Sequence, residues 1–388
     1  VNHHSSFHTQ TTVPVRARRL LSGVVATFAM VLGIAGAGAA TATADTVIDT
    51  IPVGDDPQGV AITPDGTRAF VVNNLGDSVS VIHTATNTVV GPPISVGDSP
   101  VGVAITPNGN FAYVTNRFDH TVSVINTGTN MVVATVNVVN SPRGVAITPD
   151  GTRAYVVNNT SVSVINTATN MVVGPPIPVG DDAVGVAITP NGNFAYVTIA
   201  DDNEVSVINT GTNMVVATVN VGSSPQGVAI TPDGSRAYVT NRNGDTVSVI
   251  DTGTNMVVGL PIPVGDGPQG VAITPDGTRA YVANFFGDSV SVIDTGTNTV
   301  IDTIPVGDGA FGVAITPKGT RAYVTNQNAD TVSVISIDRC FGSLCIDFGS
   351  LVGGGSLVGG GSTGSGGTGS LAGGGSFAGG GAAGSAGS

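Results

Sequence analysis

Chemistry needs acids, bases, nucleophiles or metal ligands that converge, and this sequence offers few. Beyond residue 44 it holds two histidines, His83 and His120. Zinc, copper and haem sites draw on more His or Cys than that, so each histidine reads as a surface loop residue. No nucleophile elbow between a strand and a helix and no phosphate-binding loop is present. Asp201-Asp202-Asn203-Glu204 gathers oxygen ligands, and calcium takes six to eight of them. Asp201, Asp202 and Glu204 are therefore the weak candidates for a metal, without EF-hand spacing. Cys340 and Cys345 form an even pair, which reads as a disulfide in an exported protein. No catalytic residue is assigned, and no cofactor is expected apart from calcium at that one loop.

The elements that would position such groups follow from composition. Charged residues make up 10% of the 388, with 56 Gly, no Trp and a net charge of −13. About 25% charged residues and ~7% Gly are usual. Glu204 is the one glutamate and Lys318 the one lysine, which argues against bundles and coiled coils. Val and Thr are abundant instead, which favours strands. The acidic balance argues against a nucleic-acid partner.

Gly-Val-Ala-Ile-Thr-Pro recurs, and its proline falls at Pro64, Pro107, Pro149, Pro190, Pro232, Pro275 and Pro317, 41 to 43 residues apart. A period of this size means a propeller or a solenoid. In the fifth unit, strands are expected over 227–231, 236–240, 246–250 and 256–264. Tight turns separate the first two and the last two, and a loop lies between. Pro261 and Pro263 place the fourth strand at an edge. Four antiparallel strands per repeat describe one propeller blade. The last unit stops after its third strand. Thr46 to Gly54 repeats Thr299 to Gly307 residue for residue, so the N-terminal segment is expected to supply the missing strand and close the ring. The prediction is all-β: a seven-bladed β-propeller of four-stranded antiparallel blades.

Tyr113-Val114-Thr115-Asn116, Tyr238-Val239-Thr240-Asn241 and Tyr323-Val324-Thr325-Asn326 resemble the signature of the YVTN β-propeller repeat family. Phe70 to Asn73, Tyr155 to Asn158 and Tyr281 to Asn284 are near matches, and Tyr196-Val197-Thr198-Ile199 lacks the final Asn. The resemblance spans residues 45–338 and implies a surface-layer-like exported protein. Relatives on the same fold include lactonases and cofactor-bearing oxidoreductases, so it implies no single activity. The recurrent Asn reads as structural, ending the second strand and bonding loop backbone. Asp65/Arg68, Asp150/Arg153, Asp233/Arg236 and Asp276/Arg279 sit three apart across a turn. They change together to Asn108/Phe111 and Asn191/Phe194. A local ion pair would explain this, as would duplication of blades.

In such a blade, the second loop and the blade-to-blade connection share one face of the disc. Fifteen of the 26 acids fall there, against Arg117, Arg143 and Arg242, giving that face about −12. The second loops also vary most between blades, and variable loops on a rigid scaffold commonly bind. The expected recognition face comprises Asp77, Phe118, Asp119, His120, Asp245, Phe285, Phe286, Asp288 and Asp330. The three phenylalanines would be apolar anchors, and the carboxylates would attract a cationic partner. The bland alternative is a solvated acidic face that keeps the protein soluble.

Arg16, Arg18 and Arg19 precede an uncharged run over 20–44 that ends Ala42-Thr43-Ala44. This reads as a secretory signal peptide over 1–44, with an upstream extension and cleavage between Ala44 and Asp45. The chain that remains carries −16. Residues 339–348 form a Cys-clipped exit segment. Residues 349–388 are a Gly/Ser-rich tail that cannot bury a core, similar in composition to tails of actinobacterial envelope proteins. The expectation is a secreted or cell-surface monomer. It would bind an unidentified protein or cell-envelope component without catalysis and without stable membrane insertion. A lactonase-like propeller hydrolase acting at the channel is the alternative.

Overall fold

The computed structural model describes residues 45–341 and 344–346, with side chains described through residue 338. The signal peptide read over 1–44 and the Gly/Ser tail lie outside the described residues. In blade two, Pro100–Ile105, Phe111–Asn116, Thr121–Asn126 and Met131–Asn137 pair in that order, antiparallel throughout. Seven sheets are built on this plan. The protein is a seven-bladed β-propeller. Among the described residues the one helical element is a single 3-10 turn, Gln327–Ala329.

Thr46–Pro52 pairs antiparallel with Thr331–Ser336 and completes the sheet that also holds Ala310–Ile315 and Arg321–Asn326. Ring closure by the N-terminal segment is therefore observed. The fourth strand of blade five, which its prolines interrupt, splits into Met256–Val257 and Ile262–Pro263. Gly259 at φ +76° turns the chain out between them. The Pro-containing fourth strands of blades one and three break in the same way. The other four keep one strand with a register shift. Breaks and bulges both blunt an outer edge that would otherwise template pairing with another chain. Cys340 stands opposite Cys345 in a short two-stranded ladder.

The core is not one mass but seven clusters, one at each seam between blades. Strand alternation produces this. Phe70 and Val72 face blade two, while Ala69 and Val71 face blade seven.

The first strands of neighbouring blades stand side by side around the whole ring. Their glycine is the closest point of approach. A Cβ on Gly102 would lie 2.4 Å from the carbonyl oxygen of Arg143, and one on Gly59 would lie 2.6 Å from that of Val101. The other five blades repeat the contact at 2.4 to 2.7 Å. The Gly of Gly-Val-Ala-Ile is thus required by the neighbouring backbone.

The Tyr-Val-Thr-Asn residues divide the seam between them. The Tyr hydroxyl donates to the Asn Oδ1 in the third turn of the next blade: Tyr113 to Asn170 at 2.7 Å, Tyr196 to Asn255 at 2.6 Å, Tyr238 to Asn298 at 2.7 Å. Burial pushes the Tyr113 and Tyr196 hydroxyls up to about 12. The Thr hydroxyl accepts the Gly N–H of its own first strand and donates to a carbonyl of the next blade. Thr115 accepts from Gly102 at 2.9 Å and donates to Arg143 at 2.5 Å. The Asn, fully buried at Asn73, donates to Ser78 and Ser80 of the third strand, both at 3.0 Å, and accepts the N–H of Gly54 at 3.2 Å. In blade four Ile199 replaces this Asn, and Ser206 donates to the Val179 carbonyl instead, at 2.9 Å.

The expected local Asp/Arg ion pair does not form at Asp65, Asp150 or Asp233. Each Asp accepts from the hydroxyl and backbone of its own turn, as Asp65 does from Thr63 Oγ1 at 2.6 Å and Thr67 N at 3.0 Å. These bonds hold Asp65 and Asp150 below the usual carboxylate range, and Asp233 at about 2. The Arg instead crosses the seam. Arg153 donates to the Thr210 carbonyl at 2.8 Å, Arg236 to that of Thr295 at 3.0 Å, and Arg68 to that of Thr127. Asn108 fills the Asp role unchanged, accepting from Thr106 at 2.7 Å.

Blade seven has no covalent third turn, and Asp45 takes that place. Its buried carboxylate accepts from Tyr281 Oη, from Arg279 Nη1 at 3.2 Å and from the Asp338 N–H at 2.9 Å. Tyr281 is raised, by burial first and then by this carboxylate.

Candidate functional site

The acids of the expected recognition face have work within the fold. Asp77, Asp245, Asp288 and Asp330 close the second loops in the left-handed region, at φ 45° to 54°. Asp and Asn are the side chains that tolerate this conformation best. Each carboxylate accepts a backbone N–H from a connection. Asp77 takes Ser99, Asp245 takes Gly267, Asp288 takes Gly309 and Asp330 takes Asp56, all at 2.9 Å. His120 occupies the same position and accepts the Ser141 N–H through Nδ1 at 3.0 Å. Asn203 does so for Ser224 at 2.8 Å. Asp119 accepts from the Asp98 N–H at 2.8 Å. These bonds tie each loop to a connection, which confirms that loops and connections share a face. Charge assistance makes such bonds stronger than neutral ones.

The calcium candidates separate into different tasks. Asp202 accepts from the Asp181 N–H at 3.4 Å. Glu204 begins the third strand of its blade, and its carboxyl is raised by burial and then by Asp202. Among the described residues no group of three or more His, Cys, Asp or Glu is placed to hold a metal ion.

The aromatic anchors also divide. Phe118 and Phe286 stand out from the face at 60% and 58% exposure, joined by Leu75 at 74%. Phe285 turns inward and packs edge-on against Phe286 at 5.1 Å and Phe311 at 6.4 Å. Arg117 lies over the Phe118 ring at 5.7 Å, and Arg242 over that of Phe286 at 5.4 Å.

The channel mouth is the part the sequence reading missed. At the loop-face end of the innermost strands, the position just ahead of the first-strand glycine holds Gln58, Val101, Arg143, Val184, Gln226, Gln269 and Phe311 in turn. The signal was present, since this is a varying position inside an otherwise repeated segment. Below the mouth the strands carry only Gly, Val, Ala and Ile. None of these residues is titratable. At the mouth Arg143 Nη2 pairs with Asp182 at 2.7 Å. Burial and then the nearby Arg143 push Arg117 down, and Asp182 partly offsets this.

Comparison with known proteins supports the same fold. The family model described as "Lactonase, 7-bladed beta-propeller" matches residues 35–176, which is less than half of the chain. Among solved structures, the chain is similar to Kuenenia stuttgartiensis hydrazine synthase. The TM-score is 0.67 at 25% identity, covering 73% of this chain and 96% of that one. No curated protein matches the sequence.

Proposed function

We propose that the protein is an exported, non-catalytic binding scaffold of the cell surface or extracellular space that holds its partner on the loop face. The observation that carries this reading is the contrast between axle and face. The innermost strands approach one another backbone to backbone and offer the channel only partly exposed Gly, Val, Ala and Ile. The face presents Leu75, Phe118 and Phe286 on loops that differ from blade to blade. Rigid support under exposed aromatics is the usual arrangement of a binding hot spot. The likeness of the repeats to the YVTN family and the leader-like residues 1–44 support export and a surface-layer-like role. The cross-strand placement of Cys340 and Cys345 suits a disulfide where the chain leaves the ring.

The partial family match supports a second reading, a lactonase-like hydrolase. That reading needs acid or base groups at the channel, and the first strands supply none.

The test compares the protein with a Phe118→Ser, Phe286→Ser variant in sedimentation with the cell envelope of its host. Both side chains are exposed, so folding should survive. Bound protein should fall about tenfold or more, the equivalent of roughly 1.4 kcal/mol. Equal binding by the variant, or turnover of a simple lactone by the unaltered protein, would overturn the proposal.

A further inference from the structure

Resting on that reading, we propose that Arg117 and Arg143 form an oxyanion niche at the channel mouth, which takes a carboxylate or phosphate group of the bound partner. Arg117 is the first residue beyond the second strand of blade two, and Arg143 stands just ahead of the first strand of blade three. The two guanidiniums are near enough for Arg143 to act on the charge of Arg117. Between blades six and seven the same positions hold Phe285 and Phe311, whose rings lie 6.4 Å apart. The backbones are joined as well, through the Thr115 hydroxyl to the Arg143 carbonyl at 2.5 Å.

Two guanidiniums and one carboxylate, Asp182, leave the niche one positive charge in excess. Asp182 reaches Arg143 Nη2. The Nε of Arg143 and the Nε of Arg117 are buried, and no protein acceptor reaches either. A buried donor on a charged group is costly to leave without a partner. The edge of a guanidinium presents paired donors that match a carboxylate or phosphate. One oxyanion across both edges would satisfy the donors and balance the charge. The effect of Arg143 on Arg117 fits the same picture, since an anion would relieve it. Arg242 also has a buried Nε without an acceptor, but the position matching Arg143 in the next blade holds Gln269, so no second guanidinium pairs with it. The rest of the face is acidic and repels free anions, so the niche selects by contact rather than by long-range attraction.

The test titrates the purified full chain with sodium acetate, and separately with inorganic phosphate, at constant ionic strength. The Nε–Hε resonances of the arginines are followed by proton–nitrogen NMR. The Arg117 and Arg143 resonances should shift and saturate, while Arg153, on the opposite face, stays in place. Saturation by acetate alone assigns a carboxylate group, by phosphate alone a phosphoryl group, and by both a general oxyanion niche. Arg117→Gln should weaken binding at least tenfold. Arg117→Lys, which keeps the charge and loses the paired edge, should also weaken it and guards against a folding defect in the first variant. Linear shifts with both anions, or equal affinity in both variants, would overturn the niche. Envelope sedimentation separates this failure from that of the scaffold. If the niche fails while Phe118→Ser, Phe286→Ser still releases the protein, only the niche falls.

Discussion

At the residue scale, the seam between blades one and two lacks a hydroxyl. The second-strand position that holds Tyr in six blades holds Phe70 in blade one. Its expected acceptor in blade two is Asn130, by analogy with Asn170 for Tyr113. Asn130 Oδ1 is buried with no partner. A buried acceptor without a donor costs on the order of 1–3 kcal/mol, and a made bond contributes about 1. Phe70→Tyr should therefore raise stability by ~1 kcal/mol. The melting temperature should rise about 2–4 °C for a domain of this size. Thermal unfolding checks this, and adding Asn130→Ala should cancel the gain. A gain that survives loss of Asn130 would mean that the new hydroxyl acts elsewhere.

At the scale of the element, the first strand shows where legibility ends. Its alternation, its Pro-Asp-Gly turn and its recurrence are local, so strand, blade and blade number were all readable. The repeat of Thr46–Gly54 at Thr299–Gly307 also made closure readable, because it is identity within one chain. The reason for the glycine was not, because the atom that forbids a side chain belongs to the next blade. The same holds for the Asp/Arg turn, where covariation suggested a contact three residues away. Arg153 in fact reaches Thr210, 57 residues on. The loop face was legible as a face. The capping role of its acids was hidden because Asp77 bonds a connection 22 residues later. Gly102→Ala tests the axle. Its Cβ would meet the Arg143 carbonyl at 2.4 Å, and backbone cannot swing aside as a side chain can. Overpacking of this kind costs about 1–3 kcal/mol or more. The variant should melt lower, whereas Gly91→Ala, with nothing within 4 Å, should lose only what its φ of +70° demands. Equal melting of Gly102→Ala and the unaltered protein would refute close backbone contact between the first strands.

At the scale of the whole molecule, a ring is as stable as its weakest seam, and one blade is not covalently continuous. Six blades join their third and fourth strands through a turn that carries the Asn acceptor. The seventh joins strands from opposite ends of the described chain, and Asp45 stands where Asn298 stands before the equivalent strand. Its carboxylate gathers Tyr281, Arg279 and the Asp338 N–H, so it fixes the closing strand to blade six and to the chain's exit at once. Removing one member of a buried pair costs about 3–5 kcal/mol, and Arg279 is partly exposed, which favours the low end. Asp45→Ala should therefore destabilise by ~3 kcal/mol, lower the melting temperature by roughly 6–12 °C, and speed amide exchange over residues 46–52. Asp45→Asn keeps an Oδ1 acceptor for Tyr281, as Asn298 serves Tyr238 at 2.7 Å, and should lose distinctly less. The order matters more than the size. If Asn and Ala cost the same, the charge alone holds the strand. If neither changes exchange over residues 46–52, backbone pairing closes the ring without a latch.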